Sequence, residues 1–133
     1  MEPMMPENRC VMHLRLWLET GDGLVFGPGR AELLESIQRL GSLRKAAEEL
    51  GMSYRAAWGK IKRTEEALGF RLLEKKGSYK KGYRLTDAGR EFKERFGRWR
   101  QEVEEDALQK ARAIFLCTVI ASEGQDSETP RGE

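Results

Sequence analysis

Tyr54, Arg55, Trp58, Gly59 and Lys62 stand at i, i+1, i+4, i+5 and i+8, the spacing of one face of a helix. An arginine on that face carries a planar fork that matches the two acceptors of guanine in the major groove. A tyrosine beside it can meet a thymine methyl or a phosphate. Gly59 removes a side chain where the helix would approach a polymer backbone. Lys60, Lys62 and Arg63 suit phosphates, which position a protein without reading sequence. Further on, Lys75, Lys76, Lys80 and Lys81 bracket a Gly-containing segment and are spaced to straddle a neighbouring groove. The expected contacts to double-stranded DNA are Tyr54, Arg55, Gly59, Lys60, Lys62, Arg63, Lys76, Lys80 and Lys81.

Blander readings compete at each position. A basic helix is often only a solvated face, but here it follows a capped helix-Gly-helix and precedes a basic hairpin. Trp58 is expected to pack against the hairpin or the first helix rather than touch DNA. Tyr79 either reaches a sugar or covers its own hairpin. Trp17 and Trp99 read as core or dimer-interface residues.

Charge is distributed unevenly. The net charge of the 133 residues is only +2, but residues 53–84 hold ten Lys/Arg against three Glu, and residues 101–133 hold three Lys/Arg against eight Asp/Glu. The resulting +7 and −5 suit a polyanion-binding middle and an acidic tail held elsewhere. No apolar run has the length of a membrane span, no secretory signal is visible, and the expected compartment is the cytoplasm. Cys10 and Cys117 are far apart in sequence and read as small core residues rather than redox partners or a disulfide framework. His13 is the single histidine, so no metal site can be argued and no cofactor is expected. No nucleophile–base pair, phosphate loop or paired carboxylates support an enzyme. The acidic run Glu102, Glu104, Glu105 and Asp106 reads as a solvated helix face.

These residues need elements to hold them. Residues 1–9 lack periodicity and are expected to be disordered. Cys10 to Leu18 alternates as a strand, with Met12, Leu14, Leu16 and Leu18 on one face. Gly21-Asp22-Gly23 is a turn signal, with Leu24-Val25-Phe26 as the return strand. A first helix runs from about Arg30 to Leu40, burying Ala31, Leu33, Leu34, Ile37 and Leu40 and stopped by Gly41. Ser42 caps a second helix with Leu43, Ala46, Ala47 and Leu50 inward, and Gly51 ends it. Ser53 caps a third, with Ala57, Ile61, Thr64 and Leu68 inward and Gly69 at its end. Leu72-Leu73 and Tyr83-Arg84-Leu85 are strands flanking the hairpin of residues 76–81. Thr86 caps a long last helix with Asp87 in its first turn. Phe92, Phe96, Trp99 and Val103 form a short heptad-like seam on it, and Leu108, Ala111, Ile114 and Phe115 continue out of register.

The stretch GSLRKAAEELGMSYRAAWGKIKRTEEALGFRLLEKKG, with GYRLTDAGREF after the hairpin, resembles the N-terminal DNA-binding domain of the ModE family of molybdate-responsive repressors. More distantly it is similar to LysR-type regulators. Ser53-Tyr-Arg-Ala-Ala-Trp58 matches the start of the ModE recognition helix, and the Gly-containing wing followed by Leu-Thr-x-x-Gly is shared. The resemblance covers about Leu14 to Ile114. It implies a winged helix-turn-helix, major-groove contacts near Ser53, Tyr54, Arg55, Gly59 and Lys62, and a dimer held by the N-terminal hairpin and the long last helix, through Leu14, Leu16, Phe92, Phe96, Trp99 and Val103. The molybdate-binding β-barrel domains of that family and the LysR effector domain have no counterpart in these residues, so the expectation is a stand-alone DNA-binding chain. Whether any effector is sensed is left open by the residues, a separate oxyanion-sensing partner being one route.

The expected fold is mainly α (α+β), a winged helix-turn-helix with an N-terminal β-hairpin and a long C-terminal dimerisation helix. Its expected divisions are residues 10–85 for the DNA-binding domain, 86–117 for the long helix and 118–133 for a disordered tail. The expected function is sequence-specific transcriptional regulation by a homodimer on a pseudo-palindromic operator. The alternatives are a protein-interaction winged helix or a nonspecific DNA-binding protein.

Overall fold

The computed structural model describes residues 9–77 and 82–122. Ten elements follow in order: β1 (Cys10–Met12), β2 (Leu18–Thr20), β3 (Gly23–Phe26), α1 (Pro28–Leu40), α2 (Leu43–Glu49), α3 (Tyr54–Leu68), β4 (Leu73–Lys75), β5 (Tyr83–Leu85), α4 (Asp87–Phe115) and β6 (Val119–Ala121). They divide into two compact units, one of residues 17–96 and one of residues 9–16 with 97–122.

The larger unit is built by local signals that agree with one another. Pro28 sits in the first turn of α1, where its missing N–H costs nothing. Ser42 Oγ accepts from the Lys45 amide at 3.0 Å and starts α2, and Ser53 Oγ accepts from the Ala56 amide at 3.0 Å and starts α3. The turns between these helices use left-handed φ values of 69° at Gly41 and 73° at Gly51, which only glycine adopts without strain. The inward stripes then converge: Leu33, Leu34 and Ile37 of α1, Leu43, Ala46 and Ala47 of α2, and Ala57 and Ile61 of α3 share one core with Val25, Phe26, Leu72, Leu73 and Leu85. The alanines let α2 lie close to its neighbours. Ala31, Leu50 and Leu68, expected in the stripes, pack at the margin of this core.

Two polar contacts fix α3 within the core. Thr64 Oγ1, fully buried, donates to the Val25 carbonyl at 2.6 Å. Glu65 Oε2 accepts from the Leu72 amide at 2.7 Å and the Leu73 amide at 3.3 Å, tying the end of α3 to β4. The antiparallel pair β4–β5 aligns Glu74 with Arg84, whose side chains form an ion pair of 2.8 Å. Thr86 Oγ1 accepts from the Gly89 amide at 2.9 Å and donates to the Arg71 carbonyl at 2.6 Å, so one hydroxyl caps α4 and anchors it to the chain before β4.

The N-terminal hairpin is present as β2–β3, but the long alternating strand is not. Residues 13–17 are not in a strand, and β1 does not join that hairpin. In the smaller unit β1 pairs in parallel with β6, with Cys10 opposite Val119. Val119–Ala121, expected within a disordered tail, therefore form a strand. A parallel partner supplies the backbone hydrogen bonds that alternation alone could not assign. The disorder expected for residues 1–8 and 123–133 falls outside the described residues.

Candidate nucleic-acid interface

The inward side of α3 is consumed by Ala57, Ile61 and Thr64, so its outward side is set by elimination. Tyr54, Arg55 and Arg63 are exposed, and Gly59, Lys60 and Lys62 are half-buried. Ser53 lies at the capped start of the helix, where N–H groups point outward and favour an anion. Arg55 makes no ion pair with any described residue, and its fork remains available.

Several of the expected contacts are already engaged within the chain. The Lys62 ammonium lies over the Trp58 ring, 4.7 Å from its centroid, and 3.4 Å from Glu65 Oε1. Trp58 in turn meets Tyr83 of β5 with ring centroids 5.6 Å apart. The expected packing role of Trp58 thus describes its position between α3 and the wing. A Cβ on Gly59 would lie 3.3 Å from the Arg63 guanidinium, the far end of a flexible side chain that folds back over the helix. Lys76 reaches the other way. A Cβ on Gly41 would lie 2.7 Å from its Nζ, so the ammonium sits at the C-terminal end of α1, the end that a cation stabilises. Gly82 completes that junction, because a side chain there would strike the Gly41 carbonyl oxygen at 2.6 Å. Lys80, Lys81 and Tyr79, expected at the wing tip, lie outside the described residues.

Arg44 was absent from the expected set. Its guanidinium stacks on Tyr54 with 4.7 Å from Cζ to the ring centroid, joining the start of α2 to the start of α3. The subtraction used on α3 would have found it, since Leu43, Ala46 and Ala47 point inward and leave Arg44 on the outer side.

The expected dimer residues separate. Phe92 and Phe96 both close on Phe26 of the same chain, each with centroids 4.9 Å apart and near-perpendicular rings. Phe96 is 6% exposed, so its ring is committed to the core of the larger unit. In the smaller unit Leu14, Leu16 and Val103 are half-buried and Trp99 is 38% exposed.

Three helices around one core, a capped third helix with a basic outer side and a two-stranded wing define a winged helix-turn-helix. Residues 29–90 match the family profile described as bacterial regulatory helix-turn-helix protein, lysR family. This segment matches a LysR-type helix-turn-helix domain, a class of DNA-binding domain of transcriptional regulators. The molybdenum transport protein ModE of Azotobacter vinelandii is 35% identical over 78 residues, covering 57% of this chain and 29% of that protein. The chain therefore spans less than a third of the length of that relative. Among solved structures it is similar to the BenM_DBD/benA site 1 DNA complex, at 24% identity and TM-score 0.50 over 64% of this chain and 95% of that one. It is similar also to CbnR, a LysR family transcriptional regulator, at 24% identity and TM-score 0.50 over 64% of this chain and 28% of that one. At this identity the two structures bear on the fold alone. Both resemblances read from the sequence, to ModE and to LysR-type domains, are borne out. No helix among the described residues is long and apolar enough to cross a membrane.

Proposed function

We propose that this chain is a sequence-specific transcriptional regulator that binds a pseudo-palindromic DNA operator as a homodimer. The observation that carries the reading is Arg55, exposed in the first turn of a capped α3 and flanked by the stacked pair Arg44–Tyr54. An unpaired guanidinium at that position can read guanine O6 and N7, while Lys60, Lys62, Arg63 and the wing lysines meet phosphates. Two such helices in a two-fold dimer enter successive major grooves about 34 Å apart. The dimer contact proposed here uses Leu14, Leu16, Trp99 and Val103 of the smaller unit. Phe92 and Phe96 support it only from within the core. Regulation would follow from occupying or bending promoter DNA.

Selection of bound fragments from sheared genomic DNA at near-physiological salt tests this reading. Enrichment of a two-fold-symmetric site supports it. Recovery of fragments with no shared site makes the chain a nonspecific DNA binder. Recovery of none favours a protein partner for the same face. If Arg55→Ala leaves affinity and sequence preference unchanged, the docking mode is wrong.

A further inference from the structure

Cys10 and Cys117, separated by most of the chain, meet in the smaller unit. Parallel pairing of β1 with β6 sets Cys10 opposite Val119, and the Cys10 amide donates to the Thr118 carbonyl at 3.1 Å. The turn from α4 to β6 brings Cys117 back toward β1. In that turn Leu116 adopts φ 56°, a left-handed conformation that is costly for a branched side chain and is held by its amide donating to the Arg112 carbonyl at 3.0 Å. The Arg112 guanidinium also donates to the Val119 carbonyl at 2.7 Å, fixing β6 against the end of the helix. Cys117 stands two residues before the partner of Cys10, so the register and the turn bring the two thiol side chains near one another, and the Cys10 side chain acts on the Cys117 thiol. Both cysteines are half-exposed, so neither is the core residue its type suggested, and no disulfide joins them.

We propose that Cys10 and Cys117 form an oxidisable dithiol site, which a hydroperoxide converts reversibly into an intrachain disulfide. One cysteine, as thiolate, attacks a peroxide oxygen. The O–O bond breaks, hydroxide leaves and takes up a proton as water, and a sulfenic acid remains. The sulfur of the second cysteine then attacks the sulfenic sulfur. The S–O bond breaks, the S–S bond forms, and a second water departs with the thiol proton. Two thiols and one hydrogen peroxide become one disulfide and two waters, with two electrons passing from sulfur to oxygen. Thiols set beside one another by this strand pairing have a short approach left to an S–S bond of about 2.0 Å. Burial, followed by the neighbouring Cys10 side chain, holds the Cys117 thiol above its ordinary pKa, which disfavours its thiolate and suits it to the second, resolving step. The bridge would staple the strand at the start of the described chain to the segment following α4, closing nearly the whole sequence into one loop.

The test treats the full chain with a small excess of hydrogen peroxide and reads intact mass and alkylatable thiols. The expected result is a mass loss of about two hydrogens, loss of both alkylation sites and a tryptic fragment linking Cys10 to Cys117, all reversed by dithiothreitol. The melting temperature should rise on the order of 10 °C in the oxidised form, because the unfolded chain loses the entropy of a long loop. Cys10→Ser and Cys117→Ser should each yield a dimedone-trappable sulfenic acid and no intrachain bridge. Two thiols that remain alkylatable, separate oxidation of each to sulfinic acid, or bridges formed only between chains would overturn the proposal. The wild-type measurement alone decides, so a variant that fails to fold does not obscure the outcome.

Discussion

Trp58 of α3 and Tyr83 of β5 meet at 5.6 Å between ring centroids, with their planes tilted by 44°. The Lys62 ammonium lies over the same indole, and so α3 and the wing share one aromatic joint. Loss of that joint should cost both stability and affinity. For Trp58→Ala about 2 kcal/mol is expected, since the ring is half-buried and its pairing adds about 1 kcal/mol to area burial. Trp58→Phe should recover most of it. Urea unfolding of both variants checks the order.

Gly89→Ala should destabilise despite the higher helix propensity of alanine. The new methyl would lie 2.5 Å from the Leu72 carbonyl oxygen, a backbone atom that cannot swing aside. Alanine gains about 1 kcal/mol in an unstrained helix, whereas overpacking costs about 1–3 kcal/mol. At this distance the steric term wins. A melting temperature equal to or above that of the parent chain would show that α4 shifts freely at its start.

Thr64→Val keeps the shape of the side chain and removes a buried hydroxyl. The Val25 carbonyl then loses a hydrogen bond of 2.6 Å without access to water. A loss of about 1–3 kcal/mol is expected. An unchanged unfolding midpoint would mean that β3 does not depend on α3 for its placement.

Arg55→Ala and Lys62→Ala should differ in kind on a selected operator. Arg55→Ala is expected to cost about 1–3 kcal/mol and relax preference at one base position. Lys62→Ala should weaken all sequences alike and reduce the salt slope by about 1 per site. Titrations at several salt concentrations separate the two. Equal salt slopes for the parent and Lys62→Ala would leave that ammonium on Trp58 in the complex.

The Arg39–Glu49 ion pair, 2.6 Å between α1 and α2, should give the acid limb of stability a small pH dependence. The hydrogen bond from Arg39 holds the Glu49 carboxyl below its ordinary range, with partial desolvation opposing it and the Arg39 charge adding to it. A depressed folded pKa means that the contribution is present above the ordinary carboxylate pKa and is lost as pH falls through the folded value. Both side chains are largely exposed, so solvent screens the effect. The melting-temperature gap between the parent chain and Glu49→Gln should therefore be modest at neutral pH and close on acidification.

Sequence by itself determined the helices and their order. Ser42 and Ser53 as caps, Gly41 and Gly51 as stops, and the inward stripes of α1 to α3 are matters of local backbone chemistry and residue period, and these act within a few positions. The outward face carrying Tyr54 and Arg55 followed by subtraction. Tertiary structure alone decided where surplus groups went. An apolar stripe on α4 announces a buried face without naming what buries it, and Phe26 took Phe92 and Phe96. A basic residue announces charge without its neighbour, and the end of α1 took up Lys76. The alternation of Cys10 to Leu18 suggested one strand, whereas backbone pairing split it and gave its first residues to β6. Each of these contacts joins segments distant along the chain. Local propensity carries no information about them, because their energy arises only when the remote partner arrives.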